Sequence, residues 1–142
     1  MFIGEFEYRV DEKGRVPIPP KFRTELKEEG VVLFPGIEKC IFIYPLSLWK
    51  KLADSLTSSP IASSKLRKLN RAIFASAFNI EIDGQGRVSL PNLLRDYAGV
   101  SDEVVVAGVN NYLELWSKDQ WVAEKTMSHE EAWQIIESLE KR

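Results

Sequence analysis

Apolar and polar residues alternate near the start of the chain. Phe6, Tyr8 and Val10 are separated by Glu7 and Arg9, the period of two expected of a strand with one buried face. Val16 and Ile18 resume that pattern beyond Asp11-Glu12-Lys13-Gly14, where Asp opens and Gly closes a type I turn whose last residue needs a positive φ. The pattern predicts a hairpin. Pro19-Pro20 then stops the strand and presets φ for a first helical turn, and Phe22 and Leu26 form the buried stripe of a short helix ended by Gly30. The apolar runs VVLF (31–34) and CIFIY (40–44) read as two more strands, so the unit is β-β-α-β-β.

That unit occurs twice. "VDEKGRVPIP" at 10–19 returns as "IDGQGRVSLP" at 82–91, and an offset of 72 residues places Asp11 on Asp83, Gly14 on Gly86, Arg15 on Arg87, Pro19 on Pro91 and Arg23 on Arg95. The offset continues without a gap to Gly36 on Gly108, Tyr44 on Trp116 and Trp49 on Trp121, with Val31-Val32-Leu33 lying near Val104-Val105-Val106. Leu94 and Ala98 hold the helix positions of the second copy, and VVVA and YLELW its last strands. Two copies do not make a solenoid. The expected arrangement is a pseudo-twofold pair in which each half buries the other's apolar face.

Helices follow each unit. Ser117-Lys118-Asp119-Gln120 has the form of a capping box, and Ser128 with Glu131 repeats that signature ahead of a separate final helix whose Ala132, Ile135, Ile136 and Leu139 form a packed face. Residues 63–77 place Leu66, Leu69, Ile73, Phe74 and Ala77 on one side of a helix connecting the halves. "TSSPIASS" (57–64) is the most loop-like segment. The divisions are a first module over 1–56, a loop and basic connector over 57–77, a second module over 78–126 and a C-terminal helix over 127–142. The fold class is α+β, mainly β.

Composition narrows the function classes. A chain of 142 residues, 44% hydrophobic and 28% charged, is expected to fold as one soluble body rather than two independent cores. The single Cys40 lies in an apolar run and reads as a buried thiol in a reducing compartment. No apolar stretch is long enough to span a bilayer, which predicts a cytoplasmic protein with no membrane partner. The net charge of −2 argues at first against nucleic acid, but the charge is unevenly spread. Acids collect toward the C-terminus, whereas Lys13, Arg15, Lys21 and Arg23 lie near the start and Lys65, Arg67, Lys68 and Arg71 form a run without an acid.

The repeated Asp, Gly and Arg admit two readings. Asp11 and Asp83 structure the turns, Gly14 and Gly86 supply the left-handed conformation, and Arg15 either pairs with Asp11 or lies along the surface. A turn does not require a guanidinium, however. Two tips related by a pseudo-twofold would present Arg15 and Arg87 from one surface, with donors suited to phosphates or guanine edges.

"VDEKGRVPIP" followed by "PPKFR" resembles the swapped-hairpin barrel module of the SpoVT-AbrB type. Two such modules in tandem, "MFIGEF" at the N-terminus, the pair "DEKGR" and "DGQGR", and the late "YLELW" together resemble the MraZ family. The resemblance implies a bacterial transcriptional regulator, associated with the nucleoid, that binds double-stranded promoter DNA of cell-wall and division genes and assembles into homo-oligomeric rings. It implies DNA contact through Asp11 to Arg15 and Asp83 to Arg87. With Lys13, Lys21 and Arg23 expected to position the DNA backbone, the candidate DNA-binding set is Lys13, Gly14, Arg15, Lys21, Arg23, Gln85, Gly86 and Arg87. Lys13 of the first tip is replaced by Gln85 in the second, and Glu12 by Gly84; Gln85 suits adenine or a phosphate, and the choice stays open.

Two other classes compete with this reading. A protein-interaction hub would use Trp49, Trp121 and Trp133, but core packing is the usual reason for an aromatic on an amphipathic helix. An enzyme would need a nucleophile and base, paired carboxylates or a metal set. The sequence offers no phosphate loop, no metal spacing and one histidine, His129, expected on the surface within the second capping box. Asp11 and Asp83 could make an acid–base pair, but each lies in a turn beside an Arg that should keep it ionised. No cofactor, metal or small-molecule substrate is expected.

Overall fold

The computed structural model describes residues 1–141. Its elements are β1 (Phe2–Arg9), β2 (Arg15–Pro17), α1 (Pro20–Glu29), β3 (Val31–Pro35), β4 (Ile41–Pro45), α2 (Leu46–Ser58), α3 (Ser63–Ile73), β5 (Phe78–Ile80), β6 (Arg87–Ser89), α4 (Asn92–Ala98), β7 (Glu103–Asn110), β8 (Leu113–Ser117) and α5 (Lys118–Glu140). The class is α+β, and every strand pairing is antiparallel.

The halves are interleaved. One sheet runs β1-β7-β8-β4-β3-β5 and a second consists of β2 and β6. The first strand of each half pairs with the other half, β1 with β7 and β5 with β3. Val16 faces Val88, and Phe42 faces Glu114. Each of these pairs joins residues 72 apart, so the pseudo-twofold axis passes through both.

This arrangement corrects the expected hairpin. The 11–14 turn forms, but β1 and β2 leave it for different sheets, and β2 finds its ladder partner in the other half. Ile18 N–H donates to the Gly86 carbonyl and Leu90 N–H to the Gly14 carbonyl, each at 2.8 Å, which extends the exchange past the short strands. The gap-free offset also fails in one place. Ile80 pairs with Val31 whereas Tyr8 pairs with Val104, so β3 and β7 correspond with one extra residue. The second half restores the offset before β8 with a shorter turn. Side chains alternate across the pleat, and only this slip keeps Val104 and Val106 on the face used by Val31 and Leu33.

Both faces of the large sheet are covered. On one, Val16, Ile18, Val88 and Leu90 join Phe22 and Leu26 of α1 and Leu94 and Ala98 of α4 over Leu33, Ile43, Val106 and Leu115. On the other, Val32, Phe34, Phe42 and Trp116 pack with Trp49 and Trp121. Cys40 is fully buried there, and burial raises its thiol pKa.

Three helical expectations change. The Ser117 hydroxyl accepts from Gln120 N–H at 3.4 Å as expected, but Ser128 starts nothing: α5 is continuous, and His129 lies exposed inside it. The expected packed face of the tail is open, with Ile135, Ile136 and Leu139 exposed, and Trp133 is 71% exposed rather than in a core. The connector helix ends at Ile73, not Ala77, and α2 reaches Ser58, so the break between helices is only 59–62.

Candidate nucleic-acid interface

The two DxxxR turns fold by the same local chemistry. Gly14 N–H donates to the Asp11 carbonyl at 3.0 Å, and Gly86 N–H to the Asp83 carbonyl at 2.9 Å. The glycines have φ of 76° and 80°, where a side chain would be strained. Asp11 Oδ1 accepts the amides of Lys13 and Arg15, both at 2.9 Å, and Oδ2 accepts Arg15 Nε at 2.8 Å. Asp83 repeats this with the amides of Gln85 and Arg87 at 2.9 Å and Arg87 Nε at 3.0 Å. Each carboxylate thus has three donors, and its pKa is lowered first by the arginine amide.

Antiparallel pairing of β2 with β6 sets the turns side by side. Arg87 Nη1 lies 3.7 Å from Asp11 Oδ2, so the second arginine reaches the first aspartate. Arg15 and Arg87 are therefore on one surface. They are less exposed than residues just beyond a turn tip should be, with side chains 27% and 25% accessible, because each lies back along its own aspartate. Pairing and presentation are compatible, since Nε binds the aspartate while the terminal nitrogens of the fork carry further donors. The exposed tip positions are Glu12 and Lys13 in one turn and Gly84 and Gln85 in the other.

Two further arginines brace these turns across the axis. Arg23 of α1 donates from Nε to the Ile18 carbonyl at 2.8 Å, and its stem crosses the bare face of Gly86, where an added Cβ would meet Nε at 2.3 Å. Arg95 of α4 braces the other turn in return, its Nη1 lying 3.0 Å from the Cβ position of Gly14. Arg23 belongs to the candidate set as a backbone contact, and the structure gives it a packing role within the protein. Arg95 is absent from that set, although its equivalence to Arg23 in the repeat is a signal that could have found it. Lys21 is exposed, with Nζ 5.3 Å from the Phe6 ring and 5.8 Å from that of Phe22, a cation–π position that holds the ammonium beside the turns' supporting helix.

The turns and bracing helices carry Lys13, Arg15, Lys21, Arg23, Lys27, Arg87 and Arg95 against the carboxylates of Asp11, Glu12, Glu25, Glu28, Glu29, Asp83 and Asp96. The charges of this region balance on a chain whose net charge is −2, so what it can offer an anion is the placement of its guanidiniums and not a net positive charge.

Acid should loosen these turns. Folding depresses both aspartate pKa values below the ordinary 3.8, so their stabilising contribution is present above that value and is lost as pH falls through the depressed folded values. The urea midpoint of the wild type is expected to drop as pH falls from about 4 toward 2. An Asp11→Asn, Asp83→Asn variant should show a smaller drop over that window; an equal drop would mean that these ion pairs are not held in the folded state.

A family model described as "MraZ protein, putative antitoxin-like" matches residues 1–72 and again 73–136. The chain is 61% identical over 142 residues to the transcriptional regulator MraZ of Dehalococcoides mccartyi strain BAV1, with 99% of each chain covered. It is 41% identical over 140 residues to the transcriptional regulator MraZ of Halothermothrix orenii, covering 99% of this chain and 97% of that one. It is also 41% identical over 121 residues to the protein of the same name from Roseiflexus sp., covering 85% and 84%.

Proposed function

The chain belongs to the MraZ family, and from that premise we propose that it is a DNA-binding transcriptional regulator whose paired DxxxR turns form the DNA-facing surface. The observation that carries this reading is the juxtaposition of Arg15 and Arg87 by the β2–β6 pairing, with Arg87 reaching Asp11 across the pseudo-twofold axis. A narrow two-stranded ribbon is of the size that enters a major groove, and its guanidiniums carry the donors that read base edges or phosphates there. Lys13 and Gln85 lead at the tips, Arg15 and Arg87 reach phosphates or base edges, and Lys21 adds charge at the flank. Arg23 and Arg95 keep the two turns in place.

The targets in this reading are promoter repeats of cell-wall and division genes, bound by a ring-shaped homo-oligomer on the nucleoid in the cytoplasm. Each protomer offers one arginine-bearing ribbon on an acidic chain, so affinity must come from several protomers engaging successive repeats. Among the described residues no helix is long and apolar enough to cross a membrane. The reading is non-enzymatic: Asp11 and Asp83, the carboxylates that could be imagined as an acid–base pair, are each held ionised by three donors, which suits a structural anion better than a proton donor near neutral pH.

The test is fluorescence anisotropy against the protein's own upstream region, with a scrambled fragment as competitor. The wild type is expected to prefer the upstream fragment, and an Arg67→Ala, Arg71→Ala variant on exposed α3 should keep that preference. Loss of the preference in this variant would move the reading surface to α3, and no preference in the wild type would end the proposal.

A further inference from the structure

The proposed ring needs a contact between copies, and α5 and α3 carry complementary halves of one. The first half of α5 is anchored: Trp121 Nε1 and Lys125 Nζ donate to the two Glu5 oxygens of β1, each at 2.7 Å. Beyond His129 the helix continues with its apolar stripe exposed. Trp133, Ile136 and Leu139 follow one another at helical spacing, with Glu130, Glu137 and Glu140 beside them. A stripe of this kind in the last turns of a 23-residue helix is not needed to hold that helix to its own body.

The basic helix α3 has the opposite character. Ile61, Leu69 and Ala72 line an open apolar groove, and Lys65 and Lys68 border it. No acidic residue occurs between Thr57 and Asn79. We infer that the α5 tail of one copy packs into the α3 groove of another, with Trp133 and Ile136 against Ile61, Leu69 and Ala72, and Glu137 and Glu140 beside Lys65 and Lys68. Burial of the tryptophan drives the contact, and the charges set its polarity and exclude like-with-like pairing. The two patches differ, so the contact is heterologous: repeated head to tail it closes a ring, and exchanged reciprocally it closes a dimer. This inference rests on the oligomer part of the proposed function and not on its DNA-binding part.

The experiment is a charge exchange read by light scattering on the full chain, with circular dichroism to verify folding of these surface variants. The wild type should run at a multiple of 16.2 kDa. Glu137→Lys, Glu140→Lys should lower the mass at least twofold, as should Lys65→Glu, Lys68→Glu. Mixing these two variants should restore assembly in a 1:1 ratio, because each then meets an opposite charge. Trp133→Ala should weaken assembly without reversing any charge. If the wild type assembles and the variants keep its mass, or if mixing fails to restore it, this contact is overturned while the ring itself stands. A monomeric wild type overturns the contact and the ring together. A reciprocal dimer would retain the contact and remove the ring. If Lys65→Glu, Lys68→Glu loses DNA binding with its mass unchanged, the groove serves DNA and the inference fails.

Discussion

Replacing Arg15 and Arg87 together by alanine is expected to reduce binding to the upstream fragment by about two to four orders of magnitude, since each guanidinium contact to a base edge is worth roughly 1–3 kcal/mol. Each single variant should lose about 5- to 150-fold on the same scale. Two effects act in the same direction. The variant loses a cation, and it leaves Asp11 or Asp83 as an uncompensated negative charge facing phosphates. Where an arginine contacts phosphate, the salt dependence of binding should also flatten by about one unit per residue. Arg15→Lys keeps the charge but not the rigid fork that gives Nε to Asp11, so it should recover only part of the loss. An ion pair open to water at one edge adds little to stability, so a large affinity change with unchanged melting would identify a binding role. Unchanged affinity and slope would remove both residues from the interface.

The second large effect is on folding. Gly86→Ala places a side chain at φ 80° and drives a Cβ into the Arg23 stem, to within 2.3 Å of Nε and 2.6 Å of Cδ. Arg23 cannot swing aside freely because Nε is bonded to the Ile18 carbonyl. Left-handed strain and overpacking together should cost roughly 2–4 kcal/mol, a melting temperature lower by about 5–15 °C. Gly14→Ala should cost less, about 1–2 kcal/mol, because its Cβ would meet only the far end of Arg95 at 3.0 Å. Combining Gly86→Ala with Arg23→Ala should recover part of the deficit, the coupling expected of residues in contact. Equal costs at the two glycines would show that Arg23 does not fill the space beside Gly86.

Much of this organisation was legible in the chain itself. The duplication, the paired aspartates and the left-handed glycines are local features, and local residue chemistry determines them. Phe22, Leu26, Leu94 and Ala98 are buried as their helical spacing predicts. Partner choice was not legible. Residues 15–17 have the same alternation whether they pair with β1 or across the axis with β6, and only tertiary packing selects the exchange. The slip between β3 and β7 was hidden because VVLF and VVVA are apolar on both faces, so a shift by one residue leaves no trace in the pattern. Ser128 and Glu131 match a capping box, yet the same residues fit within a helix, and α5 passes through them because no Pro or Gly between Lys118 and Glu140 interrupts it. The depth of Arg15 and Arg87 was hidden for a related reason: the reach of a guanidinium toward its own Asp depends on rotamer, which spacing does not encode.

Site-specific photo-crosslinking to the upstream fragment tests the central claim most directly, with a photoreactive residue placed in turn at positions 13, 85 and 68. The account predicts efficient crosslinks to DNA from the turn positions 13 and 85 and little or none from position 68 on α3. Crosslinking from position 68 with both turns silent would contradict it.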